Sequence, residues 1–251
     1  MPTLERALAK VPQVTLGFWI IKILATTLGE TGGDAVTMSM NLGYLVGTAI
    51  FAVIFVAFVI AQIAAKQFHP FLYWATIIAT TTVGTTMADY ADRSLGIGYT
   101  GGTTILLSLL LLSLFTWHRT LGSISVESVG DPKSEVFYWV TIMFSQTLGA
   151  ALGDWVADTA GLGYSGGALI FSGLLAVVAA LYFWTRVSRT GLFWSAFILT
   201  RPLGAVVGDF LDKPIAKGGL DLSRYSASLT LLALMVACIL VFPQKASARA
   251  H

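Results

Sequence analysis

A chain of 251 residues that is 56% hydrophobic and only 11% charged carries far less charge than an ordinary soluble domain, in which about a quarter of residues are charged. That balance excludes a water-soluble globular fold and points to an integral membrane protein in a lipid bilayer. A scattered net charge of +2 excludes a nucleic-acid surface, and the single Cys238 excludes an internal disulfide.

Eight apolar segments follow at residues 13–34, 43–65, 70–89, 102–118, 134–154, 167–185, 191–209 and 226–243, each close to the roughly 20 residues that a spanning helix needs. Glu5, Arg6 and Lys10 precede the first. No small-residue cleavage site follows by Thr27, so the N-terminus is expected to be retained. Tryptophans at 19, 74, 139 and 194 are spaced 55, 65 and 55 apart, with a glycine ten residues after each. The segments therefore pair into four two-helix repeats. The extra ten residues fall in the polar linker 123–133, between an N-terminal half (1–122, repeats 1 and 2) and a C-terminal half (134–251, repeats 3 and 4).

The expected fold class is all-α: a polytopic membrane protein whose eight transmembrane helices form four parallel repeats, because two crossings per repeat return every copy to the same orientation. Arg6, Lys10, Lys66, Arg119, Lys133, Arg186, Arg189, Lys245 and Arg249 lie at the termini or between repeats. Arg93, Lys213, Lys217 and Arg224 lie in the hairpins. This excess places both termini in the cytoplasm.

Each repeat carries one motif: Gly29 to Asp34, Gly84 to Asp89, Gly149 to Asp154 and Gly204 to Asp209, reading Gly, three residues, Gly or Ala, then Asp. The small residues let another helix pack closely. A second acid stands beside each motif Asp at helical spacing: Glu30, Asp92, Asp158 and Asp212. These pairs hold eight of the thirteen acids, and ionisable groups at membrane depth tend to face cavities or ion pathways. Carboxylates, with hydroxyls of Thr26, Thr27, Thr31, Thr37, Thr85 and Thr86, suit a hard divalent cation: manganese, with magnesium or calcium as further options. Crowded carboxylates could also hold protons. The plainer reading makes the acids caps of Gly-rich turns, neutralised at the surface by Arg93, Lys213 and Arg224.

Two cations lie within helices. Lys22 is expected to snorkel to the cytoplasmic interface. Arg201, eight residues before Asp209, could pair with an acid, gate a path or bind an anionic substrate. Met38, Met40 and Met87 lie near the acids, with packing as their plainer role. Phe18, Phe71, Tyr73, Phe137, Tyr138 and Phe193 beside the tryptophans read as an aromatic belt. His69, His118 and His251 have no metal-ligand spacing. There is no Walker loop, dinucleotide fingerprint or nucleophile elbow, so the expectation is a protein that is not an enzyme and holds no permanent cofactor.

The recurring Trp-x9-Gly-x3-Gly/Ala-Asp unit, followed in two copies by Gly-x-Gly-Tyr-Thr/Ser-Gly-Gly (Gly96 to Gly102, Gly161 to Gly167), resembles a bacterial family of uncharacterised membrane-anchored proteins built from four copies of a repeat of unknown function. That resemblance implies a bacterial inner-membrane location. Glu30-Thr31-Gly32-Gly33-Asp34 is more loosely similar to the Glu-x-Gly-Asp signatures of manganese and calcium cation/proton exchangers, with an extra Gly and without the following basic residue.

These readings converge on a transporter, foremost an exporter of a divalent cation such as manganese, coupled to protons. Asp34, Asp89, Asp154 and Asp209 would hold the ion, while Glu30, Asp92, Asp158 and Asp212 complete the site or carry protons. The alternatives are a non-transporting scaffold or binding module, and a carrier of a small organic or anionic solute centred on Arg201.

Overall fold

The computed structural model describes residues 8–248; Glu5, Arg6, Arg249 and His251 lie outside them. The chain forms α1 (Leu16–Asp34), α2 (Gly43–Ala64), α3 (Pro70–Asp89), α4 (Gly98–Leu121), α5 (Pro132–Asp154), α6 (Gly163–Trp184), α7 (Arg189–Asp212) and α8 (Arg224–Val241). Two short strands, β1 (Leu8–Pro12) and β2 (Ala246–Ala248), pair antiparallel. A five-residue π-helical turn follows the motif Asp in the first three repeats, at Ala35–Ser39, Tyr90–Ser94 and Trp155–Thr159. In the fourth, Pro214 follows Lys213 directly, and a residue without an N–H cannot extend a helical ladder. The chain then leaves α2, α4 and α6 room to start through left-handed positions at Gly43, Gly98 and Gly163, a conformation that costs glycine nothing.

The fold is all-α apart from the short strand pair, and the chain is a membrane protein with an internal repeat. Among the described residues six helices are long and apolar enough to cross a membrane: α2, α4, α5, α6, α7 and α8. The other two, α1 and α3, have the length, at 19 and 20 residues. They are diluted by Lys22, Glu30 and Asp34 in α1 and by Thr76, Thr80, Thr81, Thr82, Thr85 and Thr86 in α3, every one of which is buried. The polar content of these helices is turned inward, where it does not meet lipid.

The odd helices make a closed inner ring: α1 packs on α3 and α7, and α5 packs on α3 and α7. The even helices lie outside. Only 6% of the apolar stretch of α2 is buried, against 72% for that of α7, and α2 shows Val53, Val56 and Ile60 outward. Each even helix rests chiefly on the odd helix of the following repeat: α2 on α3, α4 on α5, α6 on α7, and α8 back on α1. This exchange ties each repeat to the next. Packing therefore runs continuously across residues 123–133, where Val126 and Val129 are buried and Val129 accepts a backbone bond from Lys10.

The motif glycines are the ring's interlock. A Cβ at Gly29 would meet Thr81 Oγ1 at 2.1 Å, at Gly84 the Gln146 backbone at 3.0 Å, at Gly149 Arg201 Cγ at 2.3 Å, and at Gly204 Thr26 Oγ1 at 2.2 Å. The intruding residue stands in each case three positions before the next repeat's own glycine. The fourth contact closes on the first repeat. Small residues allow this close backbone approach.

At the end of the ring near β1 and β2, the aromatic residues form a plug and not the expected belt. Phe18, Tyr73, Trp74, Tyr138, Trp139 and Trp194 are at most 3% exposed, stacked edge to face in pairs such as Tyr73 with Trp74 and Tyr138 with Trp139. The Tyr73 and Tyr138 hydroxyls bond each other at 2.6 Å. Only Phe71 of this set faces outward, and Phe137 is half-buried. The strand pair ties down this end. Lys10 Nζ reaches Glu135 Oε1 at 2.7 Å and the Gln62 and Ile63 carbonyls at the end of α2, the terminus at which a cation is favoured.

Candidate functional site

The opposite end of the ring gathers the acids. Asp34, Asp89 and Asp154 close α1, α3 and α5, Asp209 holds the equivalent position three residues before the end of α7, and none is more than 6% exposed. Two cations bridge them. Arg93 Nε lies 3.0 Å from Asp89 Oδ1, and its Nη2 lies 3.2 Å from Asp154 Oδ2. Lys213 Nζ bonds Asp34 Oδ2 and stands 3.1 Å from Asp209 Oδ1 and 4.0 Å from Asp212 Oδ1. Arg224 adds contacts to Asp212 Oδ2 at 3.1 Å and Asp34 Oδ2 at 3.8 Å.

These are not the simple surface pairs that the plainer sequence reading expects. The Lys213 side chain is 8% exposed. Burial alone would lower its pKa, but Asp209, Asp34 and Asp212 together raise it well above the ordinary lysine value. Arg93 is held charged in the same way by Asp89 and Asp154 against the cost of burial. The Tyr99 and Tyr44 hydroxyls, from the Gly-rich turns, accept from Arg93 at 3.1 and 3.2 Å.

The second acids separate. Asp212 joins the cluster: Asp34, Asp209 and Asp212 offer carboxylate oxygens within 4.8 Å of one another, a spacing that could hold a metal ion. Asp92, at the position equivalent to Asp212, lies instead against α4, where a Cβ on Gly102 would meet its Oδ1 at 2.5 Å. Burial raises its pKa by more than neighbouring Arg93 lowers it. Asp158 is exposed. It occupies the position of Arg93 and Lys213, four after the motif Asp; a carboxylate there would repel the aspartates that those cations bridge. Glu30 sits one turn deeper in α1, next to the glycine.

In that deeper layer, Arg201 is 0% exposed. Its Nη2 donates to Glu30 Oε2 at 2.9 Å and to Thr85 Oγ1 at 2.5 Å, and Thr85 Oγ1 bonds Glu30 Oε2 at 3.2 Å. Arg201 thus crosses from α7 to α1 and α3. Of the threonines considered as ligands, only Thr85 joins a charged group. Thr26, Thr27, Thr37 and Thr86 donate to main-chain carbonyls three or four residues back, Thr26 also reaching the Thr200 carbonyl of α7, and Thr31 bonds the Leu28 carbonyl and Ser228. Met38 Sδ is 4.0 Å from Lys213 Nζ, whereas Met40 faces outward.

Lys22 overturns an expectation. It does not snorkel to an interface: it is 0% exposed, with Nζ 4.2 Å above the Phe197 ring centroid. Its equivalents Ile77, Ile142 and Phe197 are buried too, so this position faces the inside of the ring in every repeat.

The arrangement can trap a cation between carboxylates or hold the repeats together through charge, and its present bridges are the protein's own side chains. No curated protein and no solved structure matches the chain. A family model, described as Repeat of Unknown Function (DUF347), matches residues 17–68, 72–123, 137–188 and 192–243, one copy for each odd and even helix pair. The chain belongs to the family built from that repeat.

Proposed function

We propose that this protein is an eight-span transporter of the bacterial inner membrane, with four parallel repeats and cytoplasmic termini, that exports a divalent cation, manganese foremost. The observation that carries the reading is the Asp34, Asp209 and Asp212 triad at the end of a closed helix ring. Five buried carboxylates there, counting Asp89 and Asp154, share only Arg93, Lys213 and Arg224. The carboxylates outnumber the three basic side chains that bridge them, and carboxylate oxygens suit hard cations. Protons on the same carboxylates would supply the coupling.

Equivalent residues of the odd helices meet at both ends, Tyr73 with Tyr138 at one and Asp34 with Lys213 beside Asp209 at the other, which favours parallel repeats. The aromatic plug closes the ring on the side of the termini, so passage requires it to part. The test is the elemental content of cells lacking or overproducing the protein, with an Asp34→Asn/Asp209→Asn variant at matched level. One metal should rise on deletion, fall on overproduction, and ignore the variant. Unchanged metals with a folded variant would sink the cation reading in favour of a scaffold or a solute carrier.

A further inference from the structure

The middle of the ring holds polar groups that the cation reading does not use. Among the described residues Lys22 Nζ has no hydrogen-bond partner, and neither do Arg201 Nε and Nη1, Ser145 Oγ or the two polar atoms of the Gln146 amide. All four residues are 0% exposed. Buried polar groups in native proteins are almost always satisfied, and each exception calls for a ligand, ion or water. An ammonium at membrane depth is costly without a counter-charge.

These groups belong to one region. Arg201 and Gln146 are equivalent residues, each three before its repeat's glycine, and Arg201 packs on Gly149, one turn along α5 from Gln146. Phe197, over which Lys22 lies, is one turn before Arg201 on α7. Arg201 pairs with Glu30 through Nη2, and among the described residues Lys22 has no acid within ion-pairing distance. The free groups are mostly donors: an ammonium, two guanidinium nitrogens, an amide nitrogen and a hydroxyl. Eight residues of helix, about 12 Å, separate Arg201 from Asp209, so these groups lie deeper in the ring than the motif aspartates, with Glu30 between the two layers: a Cβ on Gly208, next to Asp209, would meet Glu30 Cβ at 2.7 Å.

We infer that Lys22 and Arg201, with Gln146 and Ser145, bind one small monovalent inorganic anion, of halide or nitrate size, at the centre of the helix ring. The anion would supply the acceptor that these donors lack, and its charge would favour the ammonium form of Lys22. Arg201 and Gln146 each pack closely on a neighbouring helix, at Gly149 and Gly84, which favours a small ion. The anion would hold α1, α5 and α7 together from within.

The purified protein in detergent is melted at constant ionic strength in gluconate, chloride, bromide or nitrate. The small anions should raise Tm by about 5 °C over gluconate, since a ligand that binds only the folded state stabilises it. Lys22→Met should lose that rise, while Asp34→Asn/Asp209→Asn keeps it, which separates this site from the cation reading. Should Lys22→Met not fold, bromide in crystals of the unaltered protein gives the answer: an anomalous peak within hydrogen-bonding range of Lys22 Nζ is expected. Equal Tm in all four salts, a rise retained by Lys22→Met, or no bromide between Lys22 and Arg201 would overturn the site.

Discussion

Arg93 and Lys213 hold the same position in the second and fourth repeats, four residues past the motif aspartate, and each bridges its own aspartate to that of the next repeat. Arg93 joins Asp89 to Asp154, and Lys213 joins Asp209 to Asp34. The fourfold ring of acids is therefore pinned as two pairs. Both pairs span the seams between residues 1–122 and 134–251, so any motion that parts the two halves must first break these charge bridges.

The glycine interlock makes a sharp prediction. Gly149→Ala places a Cβ 2.3 Å from Arg201 Cγ, and Arg201 is held at its far end by Glu30 and Thr85. Overpacking of this kind costs about 1–3 kcal/mol. Gly173 in α6 has nothing within 4 Å of a built Cβ, so Gly173→Ala should be neutral or stabilising by up to about 1 kcal/mol. Unfolding midpoints in detergent compare the two; equal effects would remove the interlock from the account.

How much of this was legible in the sequence follows from what repeats preserve. The recurrence of Trp, Gly and Asp at fixed spacing reveals the helix pairs and the convergence of four aspartates, because a ring places equivalent residues at equivalent depth. It does not reveal which face of a helix looks inward. Lys22 stands among apolar neighbours and reads as a snorkelling residue; that Ile77, Ile142 and Phe197 occupy its place in the other copies was the available clue to an inward position. Spacing from the motif Asp alone puts the second acids in one group. Aligned by register, Asp92 and Asp212 share one position, Asp158 stands at the bridging position, and Glu30 is beside the glycine. The aromatic residues read as a belt because composition alone cannot separate an interface ring from a plug.

The Tyr73 and Tyr138 hydroxyls, 2.6 Å apart and 0% exposed, satisfy each other inside the plug. Tyr73→Phe leaves the Tyr138 hydroxyl without that partner, at a cost of about 1–3 kcal/mol. Removing both hydroxyls should cost less than the sum of the single changes, because the double variant buries no orphaned group. Additive losses in a double-mutant cycle would mean that the pair contributes nothing as a pair.

Asp92 sets a pH dependence whose sign is fixed by its surroundings. Its carboxyl is raised by burial more than Arg93 lowers it, so the folded protein holds that proton more tightly than the unfolded chain. This contribution is fully present below the ordinary aspartate value of about 3.9. It is lost as pH rises through the higher folded value. Melting the unaltered protein and Asp92→Asn across this range should show the variant's midpoint falling less with pH. A variant slope as steep as the original would place the titration elsewhere.

Lys213 is the resident cation that a metal would have to displace. Its ammonium lies among Asp34, Asp209 and Asp212, which keep it protonated through neutral pH. Lys213→Met removes that competitor and leaves three carboxylates facing one another, so the variant should be less stable in a chelator than the original. It should also bind manganese at least about tenfold more tightly, equivalent to about 1.4 kcal/mol, with added metal restoring its Tm. Lys213→Arg keeps the charge and should resemble the original, as should Asp158→Asn, whose carboxylate lies outside the cluster. Manganese titrations followed by electron paramagnetic resonance measure the affinities directly. If Lys213→Met folds and binds manganese no better than the original, the triad is a charge clamp between the fourth repeat and the first, and transport through it should be abandoned.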